Sequence, residues 1–193
     1  KLYNSFLYLE KNNVQVFDKE ILVPFGEFLP LRKYLKFMES ITGNIDYTSG
    51  KTIRLITNEQ INILPVICYE IIFNKILKNI NKNKIDILIN ITNDSWFGDK
   101  VGPYQHFYHS RMRALISNKF LIRVSNNGLS AIINNDGRII QSSSLNTKTS
   151  FNSSLQLKDK TYFKFIHSIF EIYLMIIILI YFIFVNYKSK YDK

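Results

Sequence analysis

The stretch LPVICYEIIF (Leu64–Phe73) holds the only cysteine of the chain, Cys68, at the meeting of two patterns. Upstream, KTIRLITNEQINILPVICYE reads as a hairpin, Ile53–Thr57 and Ile61–Cys68 around a turn at Asn58–Gln60. Downstream, EIIFNKILKNINKNK reads as an amphipathic helix. Cys68 is thus expected as the last residue of a buried strand, just before a helix. Taken alone it reads as core filler, because free cysteine is among the most buried residue types. Its position adds a second reading. A side chain at a strand end, near a helix N-terminal dipole, is favoured as thiolate. A thiolate nucleophile also needs a base, a cation or both. The chain offers Lys19 and Glu27 in DKEILVPFGEF, and Glu70 two residues beyond the cysteine.

Outward from this stretch, strand and helix patterns alternate. NVQVFDKEILVPF is β-rich and ends at Pro24 and Gly26, and PLRKYLKFMESITG (Pro30–Gly43) has helical spacing. IDILINITND is a nearly continuous apolar strand of the kind buried on both faces. YQHFYHSRMRALISNK reads as a helix. FLIRVSNNG, LSAIINNDGRIIQS and SFNSSLQL read as strands, with a tight turn at Asn135–Asp136–Gly137. The pattern is a mixed α/β layer structure around one core.

The 193 residues suffice for one ordinary domain. Lys and Arg number 25 against 15 Asp and Glu, a net charge of +10. The basic residues are scattered and mostly Lys, without an Arg-rich helix or an RNA-binding or zinc signature, so nucleic acid is not the expected partner. One cysteine excludes an internal disulfide and a multi-cysteine metal site. The start, KLYNSFLYLEKNN, has no initiator Met and no signal region, and begins inside a strand-like run. The chain is therefore expected to be a piece of something longer.

The C-terminal part is almost wholly apolar from Phe165 to Val185, with Glu171 its one charge. As a helix this stretch would be about 31 Å long at ~1.5 Å per residue, close to a hydrocarbon core of about 30 Å. A core helix, or one lying in the interface, would have a polar face, and none is present. A transmembrane helix is expected at 165–185. Tyr162, Tyr181 and Tyr187 stand near its ends. Lys188, Lys190 and Lys193 follow, so the tail 186–193 is expected in the cytoplasm and residues 1–160 outside.

DKEILVPFGEFLP, VICYEIIF, ITNDSWFG followed by GPYQHFYHSRMRA, and RVSNNGLSAIINNDGRI together resemble the nitrilase-like catalytic domain of the apolipoprotein N-acyltransferases. The likeness runs in order over nearly the whole chain. It implies a nitrilase-like αββα sandwich, partial here, followed by one C-terminal span. It also implies transfer of an acyl chain from a phospholipid to the N-terminal diacylglyceryl-cysteine of a lipoprotein. The reaction runs through a thioester in the bacterial inner membrane, with no cofactor or metal. Carried over by motif, Cys68 is the nucleophile and Lys19 the stabiliser of the oxyanion. Glu27 and Glu70 support them, or form plain salt bridges. The superfamily's general base is a glutamate well upstream of the lysine. Glu10 is the sole carboxylate before Asp18 and stands too close, so the isolated chain is expected to be inactive.

Rival readings are a membrane-anchored nitrilase-type amidase with water as acceptor, and an inactive remnant or interaction module. In NDSWFG, Trp96 and Phe97 either line the mouth of the site and meet lipid, or form a structural turn with a buried Trp. His106 and His109 lie three apart on a helix without an evident third metal ligand, so they are expected to be structural or surface histidines. Arg111, Arg113 and Arg123 are expected in salt bridges more than on phosphate headgroups.

Overall fold

The computed structural model describes residues 1–11, 13–39, 43–51, 55–57, 60–77, 84–157 and 172–183. The chain divides into two units, Lys1–Asp159 and Lys160–Lys193.

The first unit is built on a six-stranded sheet in the order β3 (Ile56–Thr57), β4 (Asn62–Ile67), β5 (Ile87–Thr92), β6 (Phe120–Ser125), β7 (Ala131–Ile133) and β8 (Ile139–Ser142). β4, β5 and β6 run parallel, and the outer strands pair antiparallel. Strands buried on both faces need apolar residues at successive positions, and β4 and β5 supply them. Leu64, Val66, Leu88 and Leu121 face one side, with Ile71, Ile76, Phe107 and Ala114 packed on them. Ile63, Ile67, Ile87 and Phe120 face the other, against Phe6 and Phe17. These two belong to a separate hairpin of β1 (Ser5–Glu10) and β2 (Asn13–Asp18). The layers are therefore hairpin, sheet, and the helix α1 (Val101–Ser117).

Several expectations hold: the hairpin, in which Ile56 pairs with Ile63; the apolar strand in IDILINITND, found at 87–92; the helix in YQHFYHSRMRALISNK, which begins earlier, at Val101, and ends at Ser117; and the turn before Gly137, at φ 80°. Others are corrected. The described residues of Pro30–Gly43 do not form the expected helix from Pro30 onward, and 40–42 lie outside the described residues. They have turns and a 3₁₀ helix, Lys36–Met38, with no buried residue, and Leu31 sits at φ 51° in the left-handed region. A short helix that buries no face has nothing to stabilise it. The helix expected after Cys68 is two 3₁₀ pieces, Cys68–Ile72 and Asn74–Leu77, with 78–83 outside the described residues. The cause is Arg113, whose guanidinium donates to the carbonyls of Ile71 and Ile72, each at 2.7 Å, and to Asn74 Oδ1. Those carbonyls are thereby taken from the i→i+4 ladder. SFNSSLQL forms no strand, although Leu155 and Leu157 pack on the hairpin side of the sheet.

In the second unit, 172–183 form a helix, α2, whose residues are all apolar or Tyr and all exposed. The rest of the expected span at 165–185, and the basic tail, lie outside the described residues. Among the described residues no helix is long and apolar enough to cross a membrane.

The central strand sets the stability of the first unit. Leu88→Ala, at a fully buried position of β5, is expected to cost about 2–5 kcal/mol in urea denaturation followed by circular dichroism. Ile140→Ala on the exposed edge strand is expected to cost less than about 0.5 kcal/mol.

Candidate active site

β4 ends at Ile67, one residue before the expected boundary, and Cys68 begins the following 3₁₀ helix. Its backbone is in the left-handed region at φ 52°, where a non-glycine residue is strained and held only by its surroundings. The thiol is half-buried and lies 3.9 Å from the Asn93 carbonyl, to which it can donate. Cys68 borders a cavity of about 720 Å³. Lys19, Glu27, Tyr69, Trp96 and Phe97 line the same cavity.

Lys19 follows the end of β2 and is pinned by its main chain. Its N–H donates to Asn4 O at 2.7 Å, and its carbonyl accepts from Gly50 N–H at 2.8 Å. Its ammonium is 1% exposed and pairs with Glu27 Oε2 at 2.7 Å. A buried ammonium is stable only with such a partner. Glu27 is itself held: Oε2 also accepts from Val23 N–H, and Oε1 from Asn4 Nδ2, both at 2.9 Å. Glu70 is fully buried and does not line the cavity. Its Oε1 accepts from Glu20 and Ile21 N–H at 2.7 and 2.9 Å, and its Oε2 from Ile67 N–H at 3.0 Å. One carboxylate thus ties the segment after Lys19 to the peptide before Cys68.

Trp96 is 76% exposed, which removes the buried-Trp reading; with Phe97 it forms part of the cavity wall. His106 is buried and His109 exposed, and among the described residues no three metal-type ligands gather. Arg123 makes the expected salt bridge, with Asp94 at 2.7 Å. Arg111 and Arg113 instead hold backbone carbonyls, Arg111 that of Gly137 at 3.0 Å.

The sequence reading missed Asn90 and Asp94 and left His106 without a partner. Behind the cysteine turn these residues and Arg123 form a buried polar group. Asp94 accepts from both Arg123 Nη2, at 3.0 and 2.7 Å, and His106 Nδ1 at 2.8 Å. The His106 ring packs on Tyr69 and Phe97, with centroids 5.5 and 5.0 Å away. Gly128 passes so close that an added Cβ would lie 1.8 Å from Asp94 Oδ2. Burial pushes the Asp94 carboxyl up, but His106 and Arg123 together outweigh it and hold it down at about 2. Burial, with the Arg123 charge, pushes the His106 imidazole below its ordinary range. A signal for this group existed: Asn90 and Arg123 are polar interruptions of apolar strands.

The carbon-nitrogen hydrolase family model matches residues 1–160. The chain belongs to the carbon-nitrogen hydrolase family. An apolipoprotein N-acyltransferase of Rickettsia typhi is 46% identical over 149 residues, covering 76% of this chain and 30% of the relative. One of Rickettsia prowazekii is 44% identical over the same shares. The chain therefore spans about 30% of the length of these curated relatives. The solved structure of Nit3 of Saccharomyces cerevisiae, a nitrilase-superfamily member, superposes with a TM-score of 0.56 at 16% identity, over 76% of this chain and 51% of that one. That likeness establishes the carbon-nitrogen hydrolase fold. The family and the named relatives support acyl-transfer or amide-hydrolase chemistry.

The buried imidazole gives a pH signature. An unfolded histidine takes up its proton near pH ~6.5, whereas folded His106 stays neutral to lower pH. Below that pH the unfolded chain holds the extra proton, so stability falls as pH falls. Asp94 adds a second loss as pH drops through the window from about 3.9 toward about 2. The urea midpoint is expected to decline between pH 7 and pH 5, and to decline less in His106→Gln. Equal slopes in the two proteins would refute this assignment.

Proposed function

We propose that this chain carries the catalytic centre of a membrane-held N-acyltransferase. It moves a fatty acyl chain from a phospholipid to the N-terminal diacylglyceryl-cysteine of a lipoprotein. The observation that carries the reading is that Cys68 and the buried Lys19 ammonium border one cavity whose walls include Tyr69, Trp96 and Phe97. A thiol and a cation alone suit any thioester chemistry. An aromatic wall that ends in the exposed Trp96 suits an acyl donor delivered from a lipid layer.

In the first step the Cys68 thiolate attacks the ester carbonyl of the phospholipid. The carbonyl oxygen becomes an oxyanion, and Lys19 is the group assigned to stabilise it. The tetrahedral intermediate collapses, the C–O bond breaks, and the lysophospholipid alkoxide leaves with a proton. The thioester remains on Cys68. In the second step the lipoprotein's α-amine attacks the thioester carbonyl, the C–S bond breaks, and an amide forms as the amine gives up a proton. Glu27 holds the Lys19 ammonium in place through their 2.7 Å ion pair. Glu70 holds the cysteine turn against the lysine strand. The general base that takes the thiol proton is assigned, by resemblance, to a glutamate upstream of Lys19.

The apolar helix α2 and the basic residues that follow it in sequence support a membrane span at 165–185. In this reading 1–160 form the catalytic domain on the outer face of the bacterial inner membrane, and 186–193 are a cytoplasmic tail.

The test uses protein comprising this chain together with whatever precedes it in its reading frame, in phospholipid vesicles. Intact mass is expected to show one acyl adduct that an amine-bearing diacylglyceryl peptide discharges. Cys68→Ala is expected to abolish the adduct. Lys19→Met is expected to slow its formation by roughly 100–1000-fold, the usual cost of an oxyanion donor. An adduct that persists in Cys68→Ala would remove the cysteine from the mechanism. Discharge to free fatty acid alone would make the protein a hydrolase.

A further inference from the structure

The strained turn at Cys68 raises the question of what holds it. Glu70 secures one side through Ile67 N–H. The other side is secured by a residue that neither the motifs nor the mechanism above uses. Strand register sets Val66, Asn90, Arg123 and Ala131 side by side across β4, β5, β6 and β7. Asn90 is fully buried in this row. Its Nδ2 donates to Val66 O at 3.1 Å and to Cys68 O at 3.2 Å, the two carbonyls that bracket the end of the strand and the start of the turn.

An amide has two ends, and a free one could turn its oxygen toward those carbonyls. Asn90 cannot. Its Oδ1 accepts from Arg123 Nη1 at 2.7 Å, so only the NH₂ is left to face Cys68. Arg123 in turn has no freedom. Its Nη2 grips both Asp94 oxygens, its Nη1 also donates to Ser110 Oγ at 2.9 Å, and its Nε donates to Leu129 O at 3.1 Å. A planar fork held at every nitrogen fixes the orientation of whatever it donates to.

The geometry points to Asn90, oriented by the Arg123–Asp94 pair, as a positioning residue for the Cys68 nucleophile. Asn90 touches no reacting atom. It holds the Cys68 carbonyl, and through it the rotation of the strained peptide that aims Sγ into the cavity. Without that donor the Cys68 carbonyl keeps only its contact with the His106 ring, and the turn relaxes toward unstrained dihedrals. The inference rests on the reading of Cys68 as nucleophile.

The experiment compares Asn90→Asp and Asn90→Ser in the same vesicle-borne protein, with Cys68→Ala beside them. Aspartate keeps an acceptor for Arg123 and puts a second acceptor against the two carbonyls. Serine is too short to reach Cys68 O. Three quantities are read: the single-turnover rate of acyl adduct formation at saturating phospholipid, the high-pH plateau rate of Cys68 alkylation by iodoacetamide, and the melting temperature. Both variants are expected to lose about 30-fold or more in adduct formation. Alkylation is expected within about threefold of the parent and melting within a few degrees. Adduct formation within threefold of the parent in either folded variant overturns the proposal. So does a loss of adduct that tracks equal losses of alkylation and melting temperature, or failure of both variants to fold, since Asn90 would then be a packing residue. Adduct formation in Cys68→Ala would instead break the nucleophile reading and leave the role of Asn90 to the turn alone.

Discussion

The structure around the cavity depends on one buried carboxylate. Glu70 has no access to solvent and meets three backbone N–H groups on two segments far apart in sequence. A bare buried carboxylate would be costly by several kcal/mol. Backbone amides aimed at both its oxygens offset that cost only while the two segments stay in place. The relative position of the Lys19 strand end and the Cys68 turn therefore follows from satisfying one charge. It does not depend on the long, soft lysine side chain finding its own way.

The second constraint is the parallel run β4–β5–β6. Side chains that can bind or react collect where parallel strands end at their carboxyl edge. Cys68 follows β4, Asn93 follows β5, and Asn126 follows β6. Asn126 Oδ1 accepts from Asp94 N–H at 3.2 Å, and Asn126 Nδ2 donates to Asn93 Oδ1 at 2.8 Å. The three loops are thus cross-linked at the rim. Beneath them the Asp94–Arg123 pair sits in the layer between sheet and helix. Buried charges in such a place are held by their full set of partners, and they demand that β5, β6 and α1 keep one register.

Much of this was legible from residue order. The apolar run at 87–92 and the α1 pattern declared a sheet covered on both faces. The motifs around Lys19, Glu27, Cys68 and Trp96 proved to border one cavity. Less legible were the segments whose backbone groups are claimed by distant side chains. Ile71 and Ile72 look helical in sequence, yet their carbonyls belong to Arg113. The Pro30–Gly43 segment has helical spacing. Yet Arg32 there reaches across to Asp46 and Glu39, Asp46 accepts from Leu29 N–H, and residues 30–34 form turns.

By itself the sequence determined the α/β fold class, most of the strand segments along the chain, and the residue types able to carry acyl transfer. Periodicity and motif spacing are local, and each strand or helix writes its own pattern. Only the tertiary structure decided which carbonyls and carboxylates meet. It placed Cys68 just past the strand in a left-handed turn, buried Glu70 as a tie between segments, and made Asn90 and Arg123 neighbours. Those outcomes depend on register between strands, and register is settled by packing the whole sheet at once, not by any one stretch of residues.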